Sequence, residues 1–193
     1  GKSRIIESDD NSRYHRFLRL FYHLSLFDHS SAYKGLRTEY FWRKTLISLI
    51  PITEDNFIEA FNLKLAKGQE EYVSHPIRSL AQAYVYRNQC QPFGIYADEK
   101  MVGYVMVIYD YDIPEYDIWH MMIDESQQGK GYGKAALEQV IEYIKTKPFG
   151  DSCRIALTCN KNNFIARKLY EGIGFSATGV EDEDEVELVL NIE

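Results

Sequence analysis

The stretch Met121-Met122-Ile123-Asp124-Glu125-Ser126-Gln127-Gln128-Gly129-Lys130-Gly131-Tyr132-Gly133-Lys134 narrows the folds open to this chain more than any other. An apolar run enters a turn with glycine at 129, 131 and 133, and a helical pattern follows, with Leu137, Val140, Ile141 and Ile144 at i, i+3, i+4, i+7 spacing. The spacing predicts a strand handing over to a helix through a glycine-rich turn. The first N–H groups of such a helix lack intrahelical acceptors and sit at the positive end of its dipole. Together they form a cradle for phosphate.

Three phosphate motifs compete for this turn. A Walker loop needs Gly at Gln128 and Ser or Thr at Ala135, and the chain has neither. A dinucleotide fingerprint needs a third Gly at Lys134 and a βαβ unit opening a parallel sheet, and it fails on both. Gln-x-x-Gly-x-Gly does fit, at Gln128, Gly131 and Gly133. Two glycines at one fixed offset arise by chance at roughly one position in two hundred. A second motif stands further on: Asn163, Ala166, Leu169, Tyr170, Gly174 and Phe175 make Asn-x-x-Ala-x-x-Leu-Tyr-x-x-x-Gly-Phe.

The order of elements can be read around these motifs. Residues 1–12 are polar, and Tyr14, Phe17, Leu18, Phe21 and Leu24 predict an aromatic helix within an extension over residues 1–42. From residue 43 a domain is expected to run to residue 193. Residues 43–50 read as a strand stopped by Pro51, followed by a helix capped by Thr53 and running to about Lys67 with Phe57, Ile58, Phe61 and Leu65 on one face. Pro76 opens a second helix, and residues 93–97 and 101–109 form a hairpin. Strands at 116–123, 154–159 and 185–192 and a helix at 163–171 complete the pattern. The strand–helix–strand crossover should make its two strands parallel within a sheet otherwise built from hairpins. The class is therefore α+β, an α/β sandwich with a mixed, mostly antiparallel sheet flanked by helices.

Composition limits the partners. The net charge of −7 argues against a nucleic-acid surface and favours cationic ligands. No run approaches the roughly 20 apolar residues of a membrane span, and no signal pattern appears, so neither membrane association nor export is expected. Cys90, Cys153 and Cys159 make an odd, unpatterned set, which fits a reducing cytoplasmic compartment and offers no metal-ligand spacing. Cys153 and Cys159 read as strand residues.

Strand, Gln-x-x-Gly-x-Gly and helix, with the later Asn163–Phe175 motif, resemble the acetyl-CoA-binding core of the GNAT superfamily of N-acetyltransferases over about residues 43–191. The resemblance implies acetyl-CoA as cosubstrate. Its pantetheine arm would lie along the strand ending at Met122 and Ile123, where neighbouring strands splay. The pyrophosphate would sit on Gln128, Gly129, Lys130, Gly131, Tyr132, Gly133 and Lys134, with the two lysines adding charge at the rim. Asn163 would bond the pantetheine or cap its helix. Tyr170 would stand as general acid, and backbone N–H groups near Met122 and Ile123 would meet the oxyanion.

The base is less defined. An alkylamine with a pKa near 10.4 is neutral to about one part in a thousand at pH 7, so a proton must be removed. Some polyamine-acetylating relatives carry an acid on the strand before the glycine turn, where this chain has Trp119. His120 is adjacent and titrates in a useful range. A water chain to Glu70, Asp117 or His120 is an equal alternative.

The stretches Thr53–Phe57, Gln69–Val73 and Ser79–Tyr84 resemble bacterial spermidine/spermine or diamine acetyltransferases, whose early helices wall the acceptor pocket. That places Glu70, Tyr72 and Tyr84 by the amine, with Asp112 from the acidic, tyrosine-rich segment 109–117. Carboxylates with tyrosine faces suit a linear polycation. Aminoglycosides, lysine side chains and protein N-termini stay open as acceptors, as does a non-catalytic acyl-CoA sensor. The N-terminal helix is expected to pack on the core or build a homodimer.

Overall fold

The computed structural model describes residues 45–192. The expected helical extension, and any dimer built on it, lie outside the described residues. The chain forms strands β1 (Ile47–Pro51), β2 (Cys90–Ala97), β3 (Lys100–Asp110), β4 (Glu115–Ile123), β5 (Arg154–Asn160), β6 (Ser176–Asp182) and β7 (Glu185–Asn191). Between them come helices α1 (Phe57–Phe61), α2 (Pro76–Val85), α3 (Tyr132–Lys145) and α4 (Phe164–Glu171), with 3-10 turns at Gln69–Glu71 and Glu125–Gln127. The strands form one sheet in the order β1-β2-β3-β4-β5-β7-β6. Every neighbouring pair is antiparallel except β4 and β5. The mixed, mostly antiparallel sheet expected from the sequence is what forms.

Each face of the sheet carries its own core. Ile118, Val105, Val107, Ile155 and Leu157 point to the side covered by α3, which buries Ala136, Leu137, Val140, Ile141 and Ile144 there. Burying each of the four larger side chains contributes about 2 kcal/mol. Tyr104, Met106 and Met122 point to the other side, with Ala60 of α1 and Ala83 of α2.

The parallel pair is the exception that shapes the site. β4 and β5 pair only at Tyr116 with Ile155 and at Asp117 with Ala156. Beyond Asp117 the strands part, and the rest of β4 keeps sheet partners on its β3 side alone. The Tyr116 hydroxyl steadies the start of the gap, donating to Gly150 O (2.9 Å) and accepting from the N–H groups of Phe149 and Gly150.

Several boundaries differ from expectation. The helix predicted from Thr53 to about Lys67 is short. Asn56 occupies the start, its Oδ1 taking the Thr53 N–H and its Nδ2 reaching Pro51 O, and the helix ends at Phe61. Past that point Lys64 bonds elsewhere: its N–H goes to Asp124 Oδ2 (2.9 Å), and its carbonyl takes the Glu125 N–H. A long-range tie has replaced the local helix. Pro51 ends β1 within the ladder, opposite Phe93, which an edge strand tolerates. Cys153 lies in the bend before β5 and is exposed. Strand β6 had no counterpart in the prediction: all of its residues are exposed, so it carries no core periodicity.

Candidate active site

A cleft of about 460 Å³ opens where β4 and β5 part. Ile118–Ile123 form one wall, the glycine turn and the start of α3 the second, and Asn163–Tyr170 the third, with Gln69, Tyr72 and Val73 at the mouth.

The glycine turn is held from outside. Asp124 Oδ1 takes the Ser126 N–H (3.0 Å) and hydroxyl, and its Oδ2 takes the Lys64 N–H. Burial alone would raise this carboxyl, but those bonds outweigh it and hold Asp124 below its ordinary value. Gln128 Nε2 donates to Ile123 O (2.9 Å) and Gln69 Oε1 (2.9 Å), so its side chain latches the turn to the strand end and the 69–71 turn. What Gln128 leaves for a ligand is its backbone.

Gly131 precedes α3 with φ +81°, and no side chain caps the helix. The first helical bond is donated by Ala135 to Gly131 O, which leaves the N–H groups of Tyr132, Gly133 and Lys134 without acceptors among the described residues. A Cβ at Gly131 would meet nothing within 4 Å among the described residues, so the space beside the turn is open there. Gly133 is different: a Cβ there would touch Leu169 and Ile123 at ordinary contact distance, making it a packing position. Lys134 lines the cleft, whereas Lys130 reaches Gln127 Oε1 (2.9 Å).

Hydrogen-bond phase fixes which β4 groups face the gap. Asp124 N donates to Val102 O, and Tyr104 stands opposite Met122 in register. Alternation then turns the backbone groups of Met122 toward β3 and those of Met121 and Ile123 toward the gap. Met122, expected among the oxyanion donors, spends its N–H in the sheet. Met121 and Ile123 instead turn their N–H groups to the gap, and the Ile123 carbonyl holds Gln128.

A β-bulge between Met106 and Val107 on the β3 register shifts the alternation in β4. Tyr116 and Ile118 face α3, whereas Trp119 and His120 both turn to the α2 side, their rings stacked at 5.1 Å. His120 lines the cleft, and its Nδ1 lies 2.8 Å from Ser79 Oγ. Burial and then the Arg78 guanidinium push its pKa down to about 4. Moving a proton to it from an alkylammonium near 10.4 costs about 9 kcal/mol. His120, expected as a candidate base, is a poor one.

Asp117 is better matched. It ends the paired part of β4 on the face away from α3, and among the described residues its carboxyl has no hydrogen-bond partner. Burial, with Glu115, Glu187 and Asp110 nearby, pushes its pKa up to about 7. The same proton transfer costs about 5 kcal/mol. Arg154 does not relieve it, because that guanidinium is held by Glu115 (2.6 Å) and Glu187 (3.7 Å).

Tyr170 enters the cleft from α4, packs edge-on to Phe175 at 5.9 Å and makes no side-chain hydrogen bond among the described residues. Burial first, then Cys159 and Asp117, push its pKa up, so the phenol stays protonated. Asn163 lines the cleft and caps α4, accepting the Ala166 N–H at 3.2 Å. Its Nδ2 remains free to donate. Of the residues expected by the amine, Tyr72 lines the cleft. Glu70 and Tyr84 are exposed outside it, and Asp112 lies in the β3–β4 turn, at the opposite end of β4 from the glycine turn. Glu115 and Glu187, which no motif marks, act on Asp117 through their charges, Glu187 from β7 on the far side of β5.

These residues fit acetyl-CoA: uncapped donors for a pyrophosphate, a free strand edge for an amide-bearing arm, and room before Gly131. Residues 55–175 match the family model described as the acetyltransferase (GNAT) family. The chain is 29% identical over 150 residues to the spermine/spermidine N(1)-acetyltransferase of Bacillus subtilis (strain 168), covering 69% of this chain and 90% of that one. A chimera of the spermidine N-acetyltransferase SpeG from Vibrio cholerae and hSSAT superposes with a TM-score of 0.60 at 21% identity, over 75% of this chain and 94% of that one. The PaiA N-acetyltransferase of Thermoplasma acidophilum, solved with coenzyme A, superposes with a TM-score of 0.58 at 12% identity, over 76% of this chain and 99% of that one. With the family model spanning the glycine turn and the Asn163–Phe175 motif together, the chain belongs to the acetyltransferase (GNAT) family and is an acyl-CoA N-acyltransferase whose cosubstrate is acetyl-CoA.

Proposed function

We propose that this enzyme acetylates a polyamine such as spermidine or spermine. The observation that carries the reading is Asp117, which ends the paired part of β4 next to the cleft wall that begins at Ile118, with the charges of Glu115, Glu187 and Asp110 acting on it. Asp117 is half-buried, unpaired among the described residues and under the field of like charges, an arrangement that a polycation relieves. Tyr72 and Trp119 add aromatic faces within the cleft. The similarity to the Bacillus subtilis enzyme points the same way.

Acetyl-CoA, when bound, supplies an acetyl group activated as a thioester. The chain's contributions are then separable. The turn and the first N–H groups of α3 hold the pyrophosphate, with Lys134 adding charge. Met121 and Ile123 offer backbone donors at the open edge. Asp117 takes the proton from the amine, and Tyr170 supplies one to the departing sulfur.

The test is a panel of spermidine, spermine, putrescine, an aminoglycoside and a lysine peptide, each with acetyl-CoA and CoA release as readout. The polyamines should show the highest kcat/KM. No preference for them would refute the substrate assignment, and binding without CoA release for any amine would favour a sensor.

A further inference from the structure

His120, Ser79 and Tyr104 form a polar chain running from the cleft into the core beneath it. Ser79 and Tyr104 are fully buried. Ser79 Oγ lies 2.9 Å from the Tyr104 hydroxyl oxygen and 2.8 Å from His120 Nδ1. Heavy-atom positions leave the proton on either side of each bond, so its direction follows from counting donors and acceptors.

Each hydroxyl carries one proton. Ser79 Oγ is the only acceptor that the structure brings within reach of the Tyr104 hydroxyl among the described residues. Were Ser79 to donate to Tyr104, the phenolic proton would be left in the core without a partner, a costly arrangement. Tyr104 therefore donates to Ser79. Ser79 must then donate onward, to Nδ1 at 2.8 Å in preference to the weakly accepting Met106 Sδ at 3.7 Å. Nδ1 is thereby an acceptor, and in a neutral ring the proton sits on Nε2. Among the described residues no protein group bonds Nε2, and His120 lines the cleft.

We infer that Tyr104 and Ser79 are positioning residues that hold His120 as the neutral Nε2–H tautomer, so that it offers the cleft a hydrogen-bond donor suited to a carbonyl oxygen and does not act as a base. What the donor meets rests on the proposed acetyl transfer; the tautomer is a property of the protein alone. The low basicity of the ring, set by burial and Arg78, keeps it uncharged at neutral pH.

Two measurements test this. In protein labelled with ¹⁵N-histidine, long-range ¹H–¹⁵N correlation should show His120 with a bare Nδ1 and a protonated Nε2, assigned by loss of the signal in His120→Gln. Ser79→Ala should turn this into a mixture of tautomers. A protonated Nδ1 in the wild type overturns the inference. In kinetics, glutamine can place an amide donor near the Nε2 position but cannot serve as a base. His120→Ala should lower kcat/KM about tenfold, the worth of one hydrogen bond to developing charge, and His120→Gln should recover most of that loss. A glutamine variant as impaired as alanine overturns the donor role. An enzyme that acetylates no amine refutes the functional reading, while the spectrum still decides the tautomer.

Discussion

Gly131→Ala separates the phosphate cradle from the stability of the fold. Gly131 sits at φ +81°, and a Cβ there meets no protein atom within 4 Å. The substitution therefore costs only left-handed backbone strain, about 1 kcal/mol, with no clash in the free enzyme. Gly179 on β6 provides a matched control, with φ +87° and equally open surroundings but outside the cleft lining. Both variants should lose the same stability, about 2–4 °C in Tm for a domain of this size. Only Gly131 directly precedes the free N–H donors that open α3, so only there does a new methyl narrow the approach of a phosphate to them. Losing one hydrogen bond to a charged phosphate is worth about 1.5–3 kcal/mol, so the Kd for CoA should rise about 10- to 100-fold in Gly131→Ala and stay unchanged in Gly179→Ala. Isothermal titration calorimetry with CoA and thermal melts of the free proteins supply both numbers. If Gly131→Ala binds CoA like the wild type, the pyrophosphate does not sit at this turn. If both variants lose affinity alike, the effect is global and the cradle argument fails.

Two further variants probe the chemistry. Tyr170→Phe removes a hydroxyl that bonds no group among the described residues, so the fold should stand; turnover should fall about 100-fold with CoA affinity nearly intact, and unchanged turnover would remove the acid role. Asp117 has a pKa of about 7 in the fold against an ordinary 3.8, so the folded state holds its proton more tightly than the unfolded chain, and stability is lost as pH rises between those values. Asp117→Asn should therefore raise Tm at pH 8, by up to about 4 kcal/mol of stability, with the gain shrinking as pH falls toward 4. The same variant should abolish the rise in kcat/KM through pH 7. A Tm gain independent of pH would show that the carboxyl is not held as described.

How far the sequence could be read depended on the reach of each interaction. The glycine turn, α3 and α4 are set by neighbours in sequence, by apolar spacing and by the Asn163 cap, and they formed where expected. Strand β6 has no buried residue and so writes no pattern. The end of α1 depends on Asp124, 60 residues beyond Lys64, and the state of His120 on Ser79, 41 residues before it. The bulge that turns Trp119 and His120 to one side breaks the two-residue alternation from which a strand is read. The environment of Asp117 depends on Glu187, brought near by β7 pairing with β5. The chemistry-bearing residues were visible as types, but their basicity and direction came from partners that only the fold supplies.

The two residue pairs that join β4 to β5 also have a mechanical meaning. They leave the sheet as two plates, β1–β4 and β5–β7, meeting along a seam closed at one end. On the α3 side the plates share one continuous apolar core, while the seam itself has almost no cross-strand bonds to resist shear or breathing. A ligand whose amide-bearing arm lies in the gap would complete the missing ladder. The cosubstrate would then serve as a temporary strand as well as a reagent, and the enzyme would be stiffest when loaded and most compliant when its product is free to leave.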